Sequence, residues 1–116
     1  GLDALVMDIK TGNGAFAANY SMAQELAQSI ANVSNQSGVP TSCLITDMNQ
    51  VLGHSVGNAT EVIECLDFLV NPKDASTRLI TLTIELSAYM LQLSGLEKDL
   101  DIARKTSHDS LHCNVV

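Results

Sequence analysis

The stretch LVMDIKTGNGAFAANY, residues 5–20, decides the fold of this chain. It opens with three consecutive apolar residues, Leu5 to Met7, which is typical of a strand covered on both faces. Two glycines one residue apart follow in the loop 11–19, and apolar residues at helical spacing begin at Tyr20. The pattern therefore predicts a strand over 2–10, then a glycine-containing loop, then a helix.

A second strand is predicted after this helix. Gly38 ends the helical pattern, and either Asn19 or Ser21 is placed to cap its start. The apolar centre of TSCLITDM, residues 41–48, is typical of another buried strand. A strand, a helix and a strand in this order predict an α/β unit of two parallel strands joined by a crossover helix.

Three further helices are predicted, over 59–70, 77–94 and 97–111. In the first of them the spacing predicts an inward-facing side that consists of Val62, Ile63, Leu66 and Leu69. Two parallel strands alone leave unpaired backbone groups at the sheet edges. The pattern therefore favours a slice of a larger α/β domain.

The composition limits the classes of partner and of location that are expected for this chain. Its 116 residues suffice for one small domain, and 46% of them are hydrophobic. The net charge of −7 argues against a nucleic-acid or anionic-membrane partner, since few Lys and Arg are present to neutralise phosphates. Three widely spaced cysteines without a CxxC pair indicate reduced thiols and a cytoplasmic protein. No signal peptide or membrane-spanning run is recognisable.

Three blocks of the sequence carry a resemblance to a known family. They are LDALVMDIKTGNGAF (residues 2–16), TDMNQVLGHSVGNATEVIECLDFL (residues 46–69) and AYMLQLSGL (residues 88–96). In order and spacing they resemble consecutive blocks of the thymidine phosphorylase and pyrimidine-nucleoside phosphorylase family.

The resemblance implies a pentosyltransferase, a class of glycosyltransferase, that takes part in nucleoside salvage. Such enzymes carry out reversible phosphorolysis, in which phosphate attacks the anomeric carbon of a pyrimidine nucleoside. Free base and a (deoxy)ribose 1-phosphate are the products. The partners implied are a pyrimidine nucleoside and phosphate, no cofactor is required, and the complete family enzyme is expected to be a homodimer.

The resemblance also implies that the chain is an interior fragment. Residues 1–111 correspond to part of the large α/β domain, and residues 112–116, HCNVV, form a divergent tail. The Arg, Ser, Lys and Thr side chains that bind the base and the phosphate in the family lie upstream of Gly1. No catalytic residue is therefore assigned, and the chain by itself is expected to be inactive while it supplies scaffold and cleft lining.

The glycine loop has two interpretations. The resemblance places it beside the base and sugar, where Phe16 walls the pyrimidine and the backbone near Gly14 meets the opposing domain on closure. The alternative is that its glycines only permit a tight turn. A dinucleotide-type phosphate loop is not indicated, because Ala17 stands where GxGxxG requires the third glycine.

The resemblance further implies a structural cation, K⁺ or Ca²⁺. Its ligands are expected to be the backbone carbonyls of Leu52 and Ser55 and the carboxylate of Glu64. Oxygen donors of this kind suit a hard cation. The alternative is that Glu64 is a solvated helix carboxylate. Nearby, Asp47 is predicted to anchor the loop through backbone N–H groups, and Asn49 to fix it.

Two other functions compete with the phosphorylase. A phosphoribosyltransferase of the anthranilate type shares the architecture, but the sequence blocks fit it less well. A non-catalytic scaffold or interaction domain is the alternative from another class, and the missing base- and phosphate-binding residues favour it.

Overall fold

The computed structural model describes residues 1–113 and has the predicted order of elements. The elements are β1 (Leu5–Thr11), α1 (Tyr20–Gln36), β2 (Thr41–Asp47), α2 (Asn58–Val70), a 3-10 turn (Pro72–Asp74), α3 (Thr77–Leu93) and α4 (Leu100–His112). The predicted α/β arrangement of two parallel strands, a crossover helix and three further helices is confirmed. Of the expected tail, His112 ends α4 and Cys113 follows it, and residues 114–116 lie outside the described part.

The two strands pair in parallel, from Leu5 opposite Thr41 to Thr11 opposite Asp47. The backbone N–H of Leu5 donates to the carbonyl of Pro40 at 2.9 Å. Pairing therefore starts where β2 starts, so β1 begins three residues later than the apolar pattern predicts.

Helix α1 packs against one face of the sheet and forms the core with it. Ile9, Ala17 and Ala23 are buried there. Around them lie partly buried side chains from both strands and from α1: Met7, Leu26, Ala27, Ile30, Cys43 and Ile45. Because these side chains are aliphatic or small, the core is held by close packing and burial and contains no aromatic ring.

Helices α3 and α4 form a second packed unit, and α3 contacts both strands. Ala88 of α3 and Ala103 of α4 are fully buried, which allows close packing around them. Arg104 of α4 donates from Nε to Oε1 of Glu85 on α3 at 2.7 Å. This contact fixes α4 relative to α3, and through α3 to the sheet.

The predicted inward face of α2 is wrong. Val62, Ile63, Leu66 and Leu69 are between 57% and 65% exposed, and the side chain that α2 buries is Phe68. Periodicity identifies an apolar face, but it does not identify which side of the helix the rest of the chain covers.

Among residues 1–113, none of the helices combines the length and apolar character that crossing a bilayer requires.

Candidate functional site

Two loops meet at the carboxyl ends of β1 and β2, the edge of a parallel sheet at which α/β proteins bind ligands. The N–H of Met48 donates to the carbonyl of Thr11 at 2.7 Å. The N–H of Asn13 donates to Oδ1 of Asn49 at 3.0 Å. The glycine loop after β1 is thus joined to the loop after β2.

Asp47 anchors the second loop, as the sequence predicts. Its Oδ1 accepts the N–H of Asn49 at 2.9 Å and the side-chain Nδ2 of Asn49 at 2.6 Å. On the other side, Arg78 of α3 approaches Oδ2 of Asp47 at 3.3 Å and donates to its carbonyl at 3.1 Å. The backbone hydrogen bond from Asn49, followed by the side-chain bonds, holds the pKa of Asp47 below its ordinary value.

Gly12 allows Asn49 to sit directly against the glycine loop. It has φ +110°, and a Cβ at this position would lie 2.6 Å from Nδ2 of Asn49. A larger residue would therefore be strained by the backbone conformation and would also collide with the amide that fixes the loop. The backbone conformation and the close contact of Gly12 support the interpretation that this glycine permits a tight turn. They are also compatible with a role of the loop in binding.

The predicted substrate-binding residues lie at the exposed side of the same loop. Gly14 is exposed with φ +77°. The side chain of Phe16 is 88% exposed. Within residues 1–113 the ring walls no enclosed pocket, so any cleft that it lines needs a surface from outside the described part of the chain.

Lys10 is an ion-pair partner. Its Nζ lies 2.7 Å from Oδ2 of Asp8 and donates to Oγ1 of Thr46 at 3.0 Å. The hydroxyl of Thr46 donates in turn to Asp8. Asp8 and Lys10, the acid and the base at the end of β1, are therefore already paired with groups of the chain itself. Lys10 borders a groove of about 560 Å³ between β2 and α3, to which Arg78 also contributes.

Glu64 connects the second loop to α2. Its Oε1 accepts the N–H of His54 at 2.7 Å, and its Oε2 accepts the N–H of Ser55 at 2.8 Å. These two bonds, first that from His54, lower the pKa of Glu64. Gly53 is required beside them, because a Cβ there would collide with the carboxylate.

The three predicted cation ligands lie together. Leu52, Ser55 and Glu64 line one cavity of about 210 Å³. The carbonyl of Leu52 accepts a hydrogen bond from Oγ of Ser76 at 2.8 Å. Both oxygens of Glu64 already accept backbone N–H groups, so a cation here would share acceptors that are in use, although oxygen donors are the kind that a hard cation prefers. Among residues 1–113, no group of three or more His, Cys, Asp or Glu side chains is arranged to hold a metal ion.

The sequence interpretation missed three residues that shape this edge: Arg78, Ser76 and Gly53. Arg78 is the only basic residue between Lys73 and Lys98, and this isolation was the available signal for it. Ser76 caps α3 by accepting from Leu79 N–H while its hydroxyl donates to the second loop. A serine before a helical pattern predicts the cap, but nothing local predicts the loop contact.

The described residues at this edge offer amide and carboxylate groups, exposed loop backbone and one exposed aromatic ring. Polar and aromatic groups of this kind are typical of ligand-binding sites, and none of those named is a positioned nucleophile. No protein-family model matches the sequence.

Proposed function

We propose that this chain forms the cleft-lining α/β part of a pyrimidine-nucleoside phosphorylase. The observation that carries the proposal is the exposed Phe16 on a glycine loop that Asn49 ties down at the carboxyl end of a parallel strand pair. The family resemblance of the three sequence blocks, which include this loop, supports it. The proposal includes a cytoplasmic location and a homodimer of the complete enzyme.

In this reaction the sugar gains positive charge and the departing base gains negative charge in the transition state. Catalysis then depends on placing phosphate and base correctly in a site closed against water. The part of this chain is to stack Phe16 on the pyrimidine and to let the backbone at Gly14 approach the opposing surface. The Arg, Ser, Lys and Thr groups that bind base and phosphate are supplied from outside the chain, so residues 1–116 alone are expected to turn over no substrate.

The proposal also assigns a structural cation. The carbonyls of Leu52 and Ser55 and the carboxylate of Glu64 would hold K⁺ or Ca²⁺, which would stiffen the second loop. If they do, K⁺ or Ca²⁺ raises the melting temperature above that in tetramethylammonium at equal ionic strength, by mass action. Glu64→Gln removes this increase, whereas Glu25→Gln on the exposed side of α1 keeps it. An equal melting temperature in all three salts would contradict the proposed cation site.

Phosphorolysis is the test of the function. The protein expressed from the complete reading frame is incubated with uridine or thymidine and phosphate, and free base is measured. Phe16→Ala should raise the KM for the nucleoside about tenfold through lost stacking, with the KM for phosphate unchanged. Val33→Ala, an exposed position on α1, is the matched control and should change neither constant.

Absence of free base from the complete protein would contradict the phosphorylase. It would favour the second candidate, a non-catalytic interaction domain. The structural observation in favour of that candidate is the apolar side of α2, which no other described element covers.

A further inference from the structure

The end of α4 brings two histidines together. His108 and His112 are four residues apart in the helix, so they lie on the same side of it. Their imidazole rings are stacked, with the ring centroids 4.2 Å apart and the ring planes inclined by 22°. Two imidazoles with this spacing on one side of a helix are a donor pair that can chelate a divalent transition metal. We call these two residues the histidine pair.

Hydrogen bonds decide which nitrogens of the pair are free. Nδ1 of His112 lies 2.9 Å from the backbone carbonyl oxygen of His108. Nδ1 of His108 faces Oδ1 of Asp109 at 3.4 Å. Because a carbonyl and an ionised carboxylate can only accept, each neutral ring carries its proton on Nδ1 and keeps the lone pair on Nε2. Metal-binding histidines are held in this same way, with the other ring nitrogen donating to a carbonyl or a carboxylate.

The charges around the pair are compatible with a bound cation. Nζ of Lys105 lies 2.6 Å from Oδ2 of Asp109, so the one lysine near the pair is already neutralised by a carboxylate. This hydrogen bond, followed by the one from His108, holds the pKa of Asp109 below its ordinary value. Helix α4 ends at His112, and the last carbonyls of a helix carry partial negative charge. The helix terminus therefore favours a cation at the pair.

The pair is open to solvent. The side chain of His108 is 54% exposed, so an ion can reach it, and its ring is free to turn until both Nε2 lone pairs point at one ion. Among residues 1–113, no third His, Cys, Asp or Glu side chain joins the pair in a cluster. Zinc in proteins takes four ligands, with nitrogen at about 2.0–2.1 Å, so water would fill the positions that the pair leaves open.

We propose that His108 and His112 form a surface site for Zn²⁺, or for a divalent transition metal of similar chemistry, which they bind through Nε2 of both rings. Imidazole suits such metals, whereas Mg²⁺ and Ca²⁺ prefer oxygen ligands. The bound ion would connect side chains one turn apart and so hold α4 helical up to its last residue. The site lies on a different element from Phe16 and Glu64, so it depends neither on nucleoside chemistry nor on the K⁺ or Ca²⁺ site.

The test titrates Zn²⁺ into the full 116-residue chain, made without a histidine tag and with its cysteines kept reduced. NMR of the ring nitrogens should show saturable binding of one ion, with Nε2 of both rings shifted and Nδ1 of both still protonated. His108→Gln and His112→Gln should each weaken binding at least about tenfold, because one imidazole alone forms no chelate. His54→Gln, on the loop before α2, is the matched control and should leave the affinity unchanged.

A thiol site is the main alternative, since Cys113 is free and exposed directly after the pair. Cys113→Ser should keep the affinity for Zn²⁺, and loss of binding in this variant would overturn the proposal. Displacement of Zn²⁺ by an about tenfold excess of Ca²⁺ would also overturn it, because it would indicate oxygen ligands. Circular dichroism of each variant must match the parent. If a glutamine variant does not fold, the parent decides: a ring whose Nε2 does not shift with Zn²⁺ would refute the two-histidine site.

Discussion

At the scale of single residues, two glycines allow polar side chains to close loops onto the main chain. Gly12 makes room for Asn49, and Gly53 makes room for Glu64. In both cases a side chain receives backbone N–H groups that would otherwise be unpaired in the loop. The loops at the candidate site are therefore held in place by specific acceptors.

Gly53→Ala should release the second loop. The new Cβ displaces the carboxylate of Glu64, so the amides of His54 and Ser55 should exchange with solvent about tenfold faster, as they should in Glu64→Ala. Hydrogen exchange by NMR measures this. In the double variant these two amides should exchange no faster than in Glu64→Ala alone, because both changes remove the same interaction. Additive effects of the two changes would refute this coupling.

Acid should loosen the same loop. The pKa of Glu64 is lowered in the folded state by the N–H groups of His54 and Ser55, so its stabilising contribution is complete above the ordinary glutamate pKa. Protection of these two amides, corrected for intrinsic exchange, should stay constant from pH 7 to about 4.3 and fall at lower pH. Glu64→Gln should remove this pH dependence, and a dependence that persists in the variant would assign it to another group.

At the scale of elements, three of the four α-helices in residues 1–113 begin where a side chain accepts a first free N–H group, and α2, which begins after Gly57, has no such cap. Asn19 accepts from Met22 at 3.0 Å, Ser76 accepts from Leu79, and Asp99 accepts from Asp101 at 2.9 Å. Helix α4 begins at Leu100, three residues later than predicted, because Asp99 holds the extended cap conformation. The side-chain caps therefore mark the starts of α1, α3 and α4.

Asn19→Ala tests the cap of α1. The sequence left Asn19 and Ser21 as alternatives, and the structure assigns the cap to Asn19. Its removal should lower the free energy of unfolding by about 0.5–2 kcal/mol, as read from urea denaturation. Ser21→Ala, inside the first turn, should change it by less than about 0.5 kcal/mol. The reverse order of the two effects would reassign the cap.

At the scale of the whole molecule, the apolar side chains include a covered core beside the sheet and an uncovered stripe on α2, which consists of Val62, Ile63, Leu66, Leu69 and Val70. Ile9 is 4% exposed between the sheet and α1, and Val62 on α2 is 60% exposed. Folding removes the side chain of Ile9 almost completely from water, whereas most of the side chain of Val62 stays in contact with it. The stability of the chain should therefore depend strongly on covered side chains such as Ile9 and little on the stripe.

Ile9→Ala and Val62→Ala test this division. The first should cost about 2–5 kcal/mol through lost burial and a cavity. The second should cost less than about 0.5 kcal/mol. Urea unfolding monitored by circular dichroism compares them. A cost at Val62 equal to that at Ile9 would mean that the stripe is covered in solution.

The sequence by itself determined the order of elements, the parallel strand pair, the cap candidates and the anchoring role of Asp47. Each of these follows from period, turn chemistry or contacts within a few residues, which are local properties of a chain. The family resemblance, and not the local pattern, implied that Leu52, Ser55 and Glu64 lie together, and all three line one cavity.

Only the tertiary structure decided which way α2 faces and what closes the loops. Arg78 reaches Asp47 from 31 positions away, and Ser76 reaches Leu52 from 24. Such contacts depend on how elements pack, and a periodic pattern has no information about the direction from which a neighbour arrives. The pattern of α2 therefore predicted correctly that the helix has an apolar face, and wrongly that the rest of the chain covers this face.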